Sequence, residues 1–150
     1  MQEKNRQTDV LDDVAVQRVR DSFLRQGLMR HLGATLVDVA RGRVVIRLPF
    51  SETLTQQHGY FHAGSTSAIA DTAGGFAGYT CFAPNTSVLT VEFKINLLAP
   101  AQGEYLEAIG QVVRSGRTLT ICQLEVFAVS GEKRTQVALG QQTLICVPDK

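Results

Sequence analysis

Cysteine is scarce in this chain. Cys81, Cys122 and Cys146 are the only three, and no two stand at C-x-x-C spacing. That argues against a disulfide scaffold and a cysteine-ligated zinc site, and it suits a reducing cytoplasm. Cys122 and Cys146 lie in apolar, strand-like runs, where a thiol serves as a small buried hydrophobe. Neither sign of charge is in excess: Lys plus Arg is 15 and Asp plus Glu is 14, for a formal charge of +1. A nucleic-acid surface or a polybasic membrane surface would need a basic surplus that is missing. No apolar run approaches the ~18 residues of a membrane-spanning helix. The first eight residues are polar and mixed in charge, without the apolar centre of a secretion signal. There is no G-x-S-x-G elbow, no P-loop and no G-x-G-x-x-G run, so serine-hydrolase and nucleotide chemistry lose support.

What is present fits one globular domain. The chain has 150 residues, 44% of them hydrophobic and 19% charged, enough to bury a core unaided. Residues 1–10 read as a flexible tail and 11–150 as a single domain. Over 11–29, Leu11, Val14, Val19, Phe23 and Leu24 recur at near-helical spacing, with Asp12 and Asp13 in the first turn where the helix dipole favours acids. Over 31–49, Ala34, Leu36 and Val39, then Val44, Ile46 and Leu48, predict a two-stranded hairpin about Arg41-Gly42-Arg43. Residues 50–61 have no period and read as a loop. A helix over 62–79 carries small residues on nearly all faces, which suits a helix gripped closely by other backbone. Strands follow at 87–98, 104–114, 118–129 and 134–147, joined by short turns, as in an antiparallel sheet. The order predicts an α+β fold: an antiparallel sheet wrapped around a long central helix, with an amphipathic helix in front.

Asp71 stands apart. Between Glu52 and Glu92 it is the only formally charged side chain, and it falls in the middle of the small-residue helix. Asp is a poor helix former and an unpaired buried carboxylate is expensive. Either a neighbouring strand or turn hydrogen-bonds it, or it faces a cleft as general base or nucleophile. The start of that helix, His62-Ala63-Gly64-Ser65, presents unpaired backbone N–H groups beneath small side chains, a place for an oxyanion, as any helix start can be. His62 reads more readily as a brace for the loop than as a catalyst. His58 and His62 have no carboxylate at ligand spacing, so no metal site is expected. Gln56 and Gln57 place amides just before the helix, and Thr90 lies in a strand where it could be no more than a β-former.

The stretch from Gln56 through Gly59, His62-Ala63-Gly64 and Asp71 to Gly75 resembles the signature of hotdog-fold acyl-CoA thioesterases. The PaaI-like, phenylacetate-degradation group is the nearest in pattern. Its motif places Gly-Gly after the His and an acid nine residues beyond it; here Ala63-Gly64 follows His62, and Asp71 is at the ninth position. Gln56 stands where that family has Asn. The segments 89–100 and 114–117 also resemble the family's later strands, so the likeness runs over most of the chain. The resemblance implies hydrolysis of an acyl- or aryl-CoA thioester without a cofactor or metal. It implies a homodimer or homotetramer whose sites lie at the subunit interface. The implied catalytic set is Asp71, Gln56, Ala63, Thr90 and His62. The Ala63 N–H and the Gln56 amide would polarise the carbonyl, and Asp71 would activate water or attack. Gly64, Lys94, Arg114 and Arg117 would contact substrate, the cations taking the CoA phosphates. The loop 50–61 with Phe76 and Tyr79 would shape the acyl tunnel. The rival from another class is a non-catalytic acyl-CoA-binding hotdog protein.

Overall fold

The computed structural model describes residues 11–150; the tail expected over residues 1–10 lies outside the described residues. Helix α1 spans Asp13–Leu24, with the Asp12 side chain accepting from Ala15 N–H at 2.7 Å as N-cap. Val19 and Phe23 face inward. The helix expected to run to residue 29 stops earlier. Arg25 and Gln26 bond back to Ser22 and Phe23 in a tightened last turn, and a second helix, α2, covers Gly27–Leu32. Gly27, a weak helix residue, stands at the break. Gln26 is turned toward the central helix, where its Oε1 accepts from Thr72 Oγ1 at 3.2 Å.

Strands β1 (Thr35–Ala40) and β2 (Arg43–Pro49) form the expected hairpin. A bulge between Leu36 and Asp38 explains the three-residue spacing of Leu36 and Val39. The segment 50–61 is more ordered than its composition predicts. It holds a single 3₁₀ turn at Glu52–Leu54 and a bridge between Thr55 and Phe61 that closes a small turn.

Helix α3 (Ala63–Tyr79) follows, then β3 (Thr86–Leu97), β4 (Tyr105–Ser115), β5 (Leu119–Ser130) and β6 (Lys133–Pro148). All six strands make one antiparallel sheet in the order β1-β2-β4-β5-β6-β3. Tight turns join β4, β5 and β6 as expected, but β3 does not pair with β4. The segment between them crosses the end of the sheet, bonding Leu98 N–H to Val137 O and Ala101 O to Phe61 N–H. β3 thereby becomes an edge strand beside β6.

The sheet curves around α3, the expected hotdog arrangement, and the core lies between them. Val44, Ile46, Leu48, Leu106, Leu124, Val126 and Leu144 are fully buried against Ile69, Ala70, Ala73 and Ala77. Small residues allow the close approach. A Cβ at Gly78 would overlap Leu144, and one at Gly110 of β4 would overlap the backbone of Ala73 and Gly74. At Gly74 and Gly78 the helix accepts a propensity loss of ~1 kcal/mol each in exchange for contact with Leu124 and Leu144.

Candidate active site

Two of the clefts bordered by β3 hold the residues singled out by sequence. The first lies at the N-terminus of α3, a cavity of about 210 Å³ bordered by Gln56, His62, Ala63, Leu97, Ala99 and Val137. His62 is the N-cap, and its Nδ1 accepts from Gly64 N–H at 2.8 Å. Ser65 and Thr66 N–H bond to the His62 carbonyl. Of the first-turn donors, Ala63 N–H alone has no hydrogen-bond partner among the described residues. The Gly64 N–H is therefore engaged with His62, which braces the turn. Gln56 is held by its own loop, its Oε1 accepting from His58 N–H at 2.6 Å and Tyr60 N–H at 3.4 Å. Among the described residues its Nε2 has no acceptor.

The second cleft, about 290 Å³, is bordered by Asp71, Thr72, Phe76, Val88, Leu89 and Thr90, with Gln26 at its side. Asp71 is half-buried there. Its Oδ1 accepts from Thr90 Oγ1 at 2.7 Å and from Gln142 Nε2. The same nitrogen lies 3.1 Å from the Asp71 carbonyl oxygen and 3.2 Å from Thr90 Oγ1. Among the described residues nothing donates to Oδ2. The two readings of Asp71 are thus not alternatives: one oxygen is tied to neighbouring strands, and the residue also borders a cleft.

Gln142 escaped the sequence reading. A signal was present: Ala138, Gly140, Gln142 and Leu144 share the inward face of β6, and only Gln142 is polar among them. The same argument that singles out Asp71 applies to a lone amide on a core-facing stripe.

The remaining expected residues lie elsewhere. Lys94 sits on the outer face of the sheet beside Gln141 and Leu139, its Nζ donating to Asn96 Oδ1 at 3.1 Å. The bulge between Thr90 and Glu92 shifts the alternation and sends Lys94 to the face away from Asp71. Arg114 and Arg117 are exposed at the β4–β5 turn. That end of β4 bonds Gly42, whose N–H donates to the α3 C-cap, Thr80. They therefore stand at the opposite end of a 17-residue helix from Ala63, about 25 Å away along its axis. Phe76, by contrast, borders the Asp71 cleft. Tyr79 borders neither: it is buried beside Phe76 and Phe82, with the Arg18 guanidinium 4.3 Å from its ring centre.

Cys122 faces the Gly74 carbonyl in the core. Burial, with the Cys81 thiol second, pushes its pKa up to about 12, the opposite of an activated nucleophile. Among the described residues no three His, Cys, Asp or Glu gather as a metal centre would need. Nor is any described helix long and apolar enough to cross a membrane.

Taken together, a fixed backbone donor and an anchored carboxylate are the groups needed for acyl transfer to water. Comparison with known proteins points the same way. The thioesterase superfamily model matches residues 58–135. A thioesterase family protein from Silicibacter pomeroyi is 40% identical, covering 89% of this chain and 98% of its own, with a TM-score of 0.87. The 1,4-dihydroxy-2-naphthoyl-CoA hydrolase of Listeria monocytogenes is 25% identical over 67% of this chain and 81% of that protein. The Escherichia coli PaaI protein shares the fold at 20% identity, covering 93% of this chain and 98% of its own, with a TM-score of 0.80.

Proposed function

This chain belongs to the thioesterase superfamily and is a thioester hydrolase, and from that premise we propose that it cleaves an acyl- or aryl-CoA at a site completed by a second copy of itself. The observation that carries the shared site is the separation of its halves. The Ala63 donor and the Asp71 carboxylate border different clefts of one chain, and β3 borders both. β3 is also a long edge strand with exposed apolar residues: Leu89 is 58%, Val91 56% and Leu97 56% exposed. An unpaired apolar edge is a template for another strand. Antiparallel pairing of β3 with its copy, about a two-fold axis, lays the Leu97 end of one chain beside the Thr90 end of the other. That brings Asp71 of one copy toward Ala63 and Gln56 of the second.

In the completed site the thioester carbonyl oxygen accepts from Ala63 N–H and Gln56 Nε2. The helix N-terminus then stabilises the charge that develops on that oxygen, a contribution on the order of 3 kcal/mol per donor. Asp71 takes a proton from water as the water oxygen bonds to the carbonyl carbon. The C–S bond breaks with its electron pair leaving on sulfur, and the proton passes to the thiolate. Direct attack by the carboxylate on the carbonyl carbon is the variant of the same geometry, with water then cleaving the anhydride. Thr90 holds Asp71 and His62 holds the helix start. The two-fold arrangement also carries Arg114 and Arg117, at the far end of α3, toward the second copy's Ala63 end, where CoA phosphates need cations. Three unpaired cysteines agree with a cytoplasmic setting.

Thiol release from a panel of acetyl-, hexanoyl-, palmitoyl- and benzoyl-CoA tests the substrate class, with turnover of at least one expected. Sedimentation of the active protein tests the shared site. A monomer that retains full turnover at micromolar concentration would refute it.

A further inference from the structure

We propose that Gln142 is a positioning residue for Asp71: with Thr90 it anchors Oδ1 and leaves Oδ2 as the oxygen that acts on water or on the thioester carbon. This rests on the carboxylate role given to Asp71 above.

Gln142 is 0% exposed and sits on the core face of β6 among Leu124, Leu144 and Gly74. A core position of that kind is normally apolar. Its amide is only half satisfied. Nε2 finds acceptors, and every one of them belongs to the Asp71–Thr90 pair. Among the described residues Oε1 is buried without a partner. The carboxylate fixes which way round the amide lies, because a carboxylate only accepts and must face the nitrogen. The oxygen is thereby turned into the core, where it is a liability to stability. α3 makes room for it: a Cβ at Gly74 would overlap Gln142 Oε1 and Leu124. Helix and strand are both shaped around an amide that stability alone would replace with Met or Leu.

The benefit lies in the carboxylate. A free Asp turns about its terminal torsion and offers either oxygen. Two donors on Oδ1 stop that rotation and hold Oδ2 in one direction. Rigid presentation of the reacting atom lowers the barrier without tightening substrate binding, so its loss falls on kcat.

Gln142→Met keeps the length of the side chain and removes both amide atoms. We measure thiol release from the best-turned-over CoA thioester of the panel, together with the melting temperature. The expected result is a kcat reduced about 10- to 100-fold, an unchanged KM, and a melting temperature equal to or above the parent's. Thr90→Val, which removes the other donor, should also reduce kcat without moving KM. The double variant Asp71→Asn with Gln142→Met should be no slower than Asp71→Asn alone. Full kcat in Gln142→Met, with Asp71→Asn inactive, overturns the role of Gln142 and leaves that of Asp71 standing. A lower melting temperature together with lost turnover also overturns it, because Gln142 would then be structural. An active Asp71→Asn overturns both.

Discussion

The two clefts beside β3 are built from different material. At the N-terminus of α3 the working group is a main-chain N–H, fixed by the His62 cap and by the closed turn that holds Gln56. Nearly any side chain at position 63 would supply that atom. At the second cleft the working group is a side chain, held by two other side chains from β3 and β6. At position 63 the first cleft tolerates changes of residue type and fails when the backbone N–H is lost. The second tolerates little change of type and depends on long-range strand pairing. The free backbone donor of Ala63 lies in one cleft and the Asp71 carboxylate in the other.

The largest effect that separates them is Asp71→Asn. The substitution is nearly isosteric, and kcat should fall ~10²–10⁴-fold while circular dichroism and the melting curve stay close to the parent's. Next is Ala63→Pro. His62 already has φ −64 and ψ 143, the extended backbone required before a proline, and Pro is well tolerated at a first helical position. The cap bond from Gly64 to His62 does not involve residue 63. Turnover should fall ~10²–10³-fold with the loss of one fixed donor, and the melting temperature should change little. Mixing the two chains sharpens the comparison. Co-expressed Asp71→Asn and Ala63→Pro subunits place one intact site and one doubly altered site in each heterodimer. Random pairing then restores about one quarter of parental turnover, whereas clefts that act within a single chain restore nothing.

Gln56→Ala should reduce turnover less, about 10-fold, since the fixed backbone donor remains. Its KM should rise as well, because His58 and Tyr60 N–H lose the oxygen that holds the loop. The smallest effect concerns Cys122. Its folded pKa of about 12 lies above the ordinary 9.0. The thiol therefore favours the folded state at pH values below 9, and that contribution is lost as pH rises from 9 toward 12. Iodoacetamide at pH 8 should leave Cys122 unmodified in the native protein and label it once the chain unfolds, as peptide mapping would read.

Much of this was legible in the sequence where the signal is local. The small-residue helix, the lone charge at Asp71, the nine-residue step from His62 and the β4–β5–β6 turns all follow from neighbours in the chain. What was not legible depends on distant pairing. β3 lies beside β6 rather than β4 because the crossing segment finds its hydrogen bonds on Val137 and Phe61. The bulge after Thr90 sends Lys94 to the outer face, although plain alternation gives no sign of it. Tyr79 joins the core through Arg18, sixty-one positions earlier. Gln142 carries a visible polarity anomaly, but only the register that sets it opposite Phe93, two residues past the bulge, reveals that it reaches Asp71.

The placement of β3 also governs the order of events as the chain is made. β3 leaves the ribosome before β4 and β5, and its one strand neighbour among the described residues, β6, is synthesised after both. Throughout that interval Leu89, Val91 and Phe93 sit on a strand with two bare edges. A nascent chain in this state is open to pairing with the wrong strand, its own or a neighbour's. Slowing translation between residues 98 and 133 lengthens the exposure, and adding a chaperone that shelters extended apolar segments shortens it. Yield of soluble protein should follow those two manipulations even where the melting temperature of the finished fold does not change.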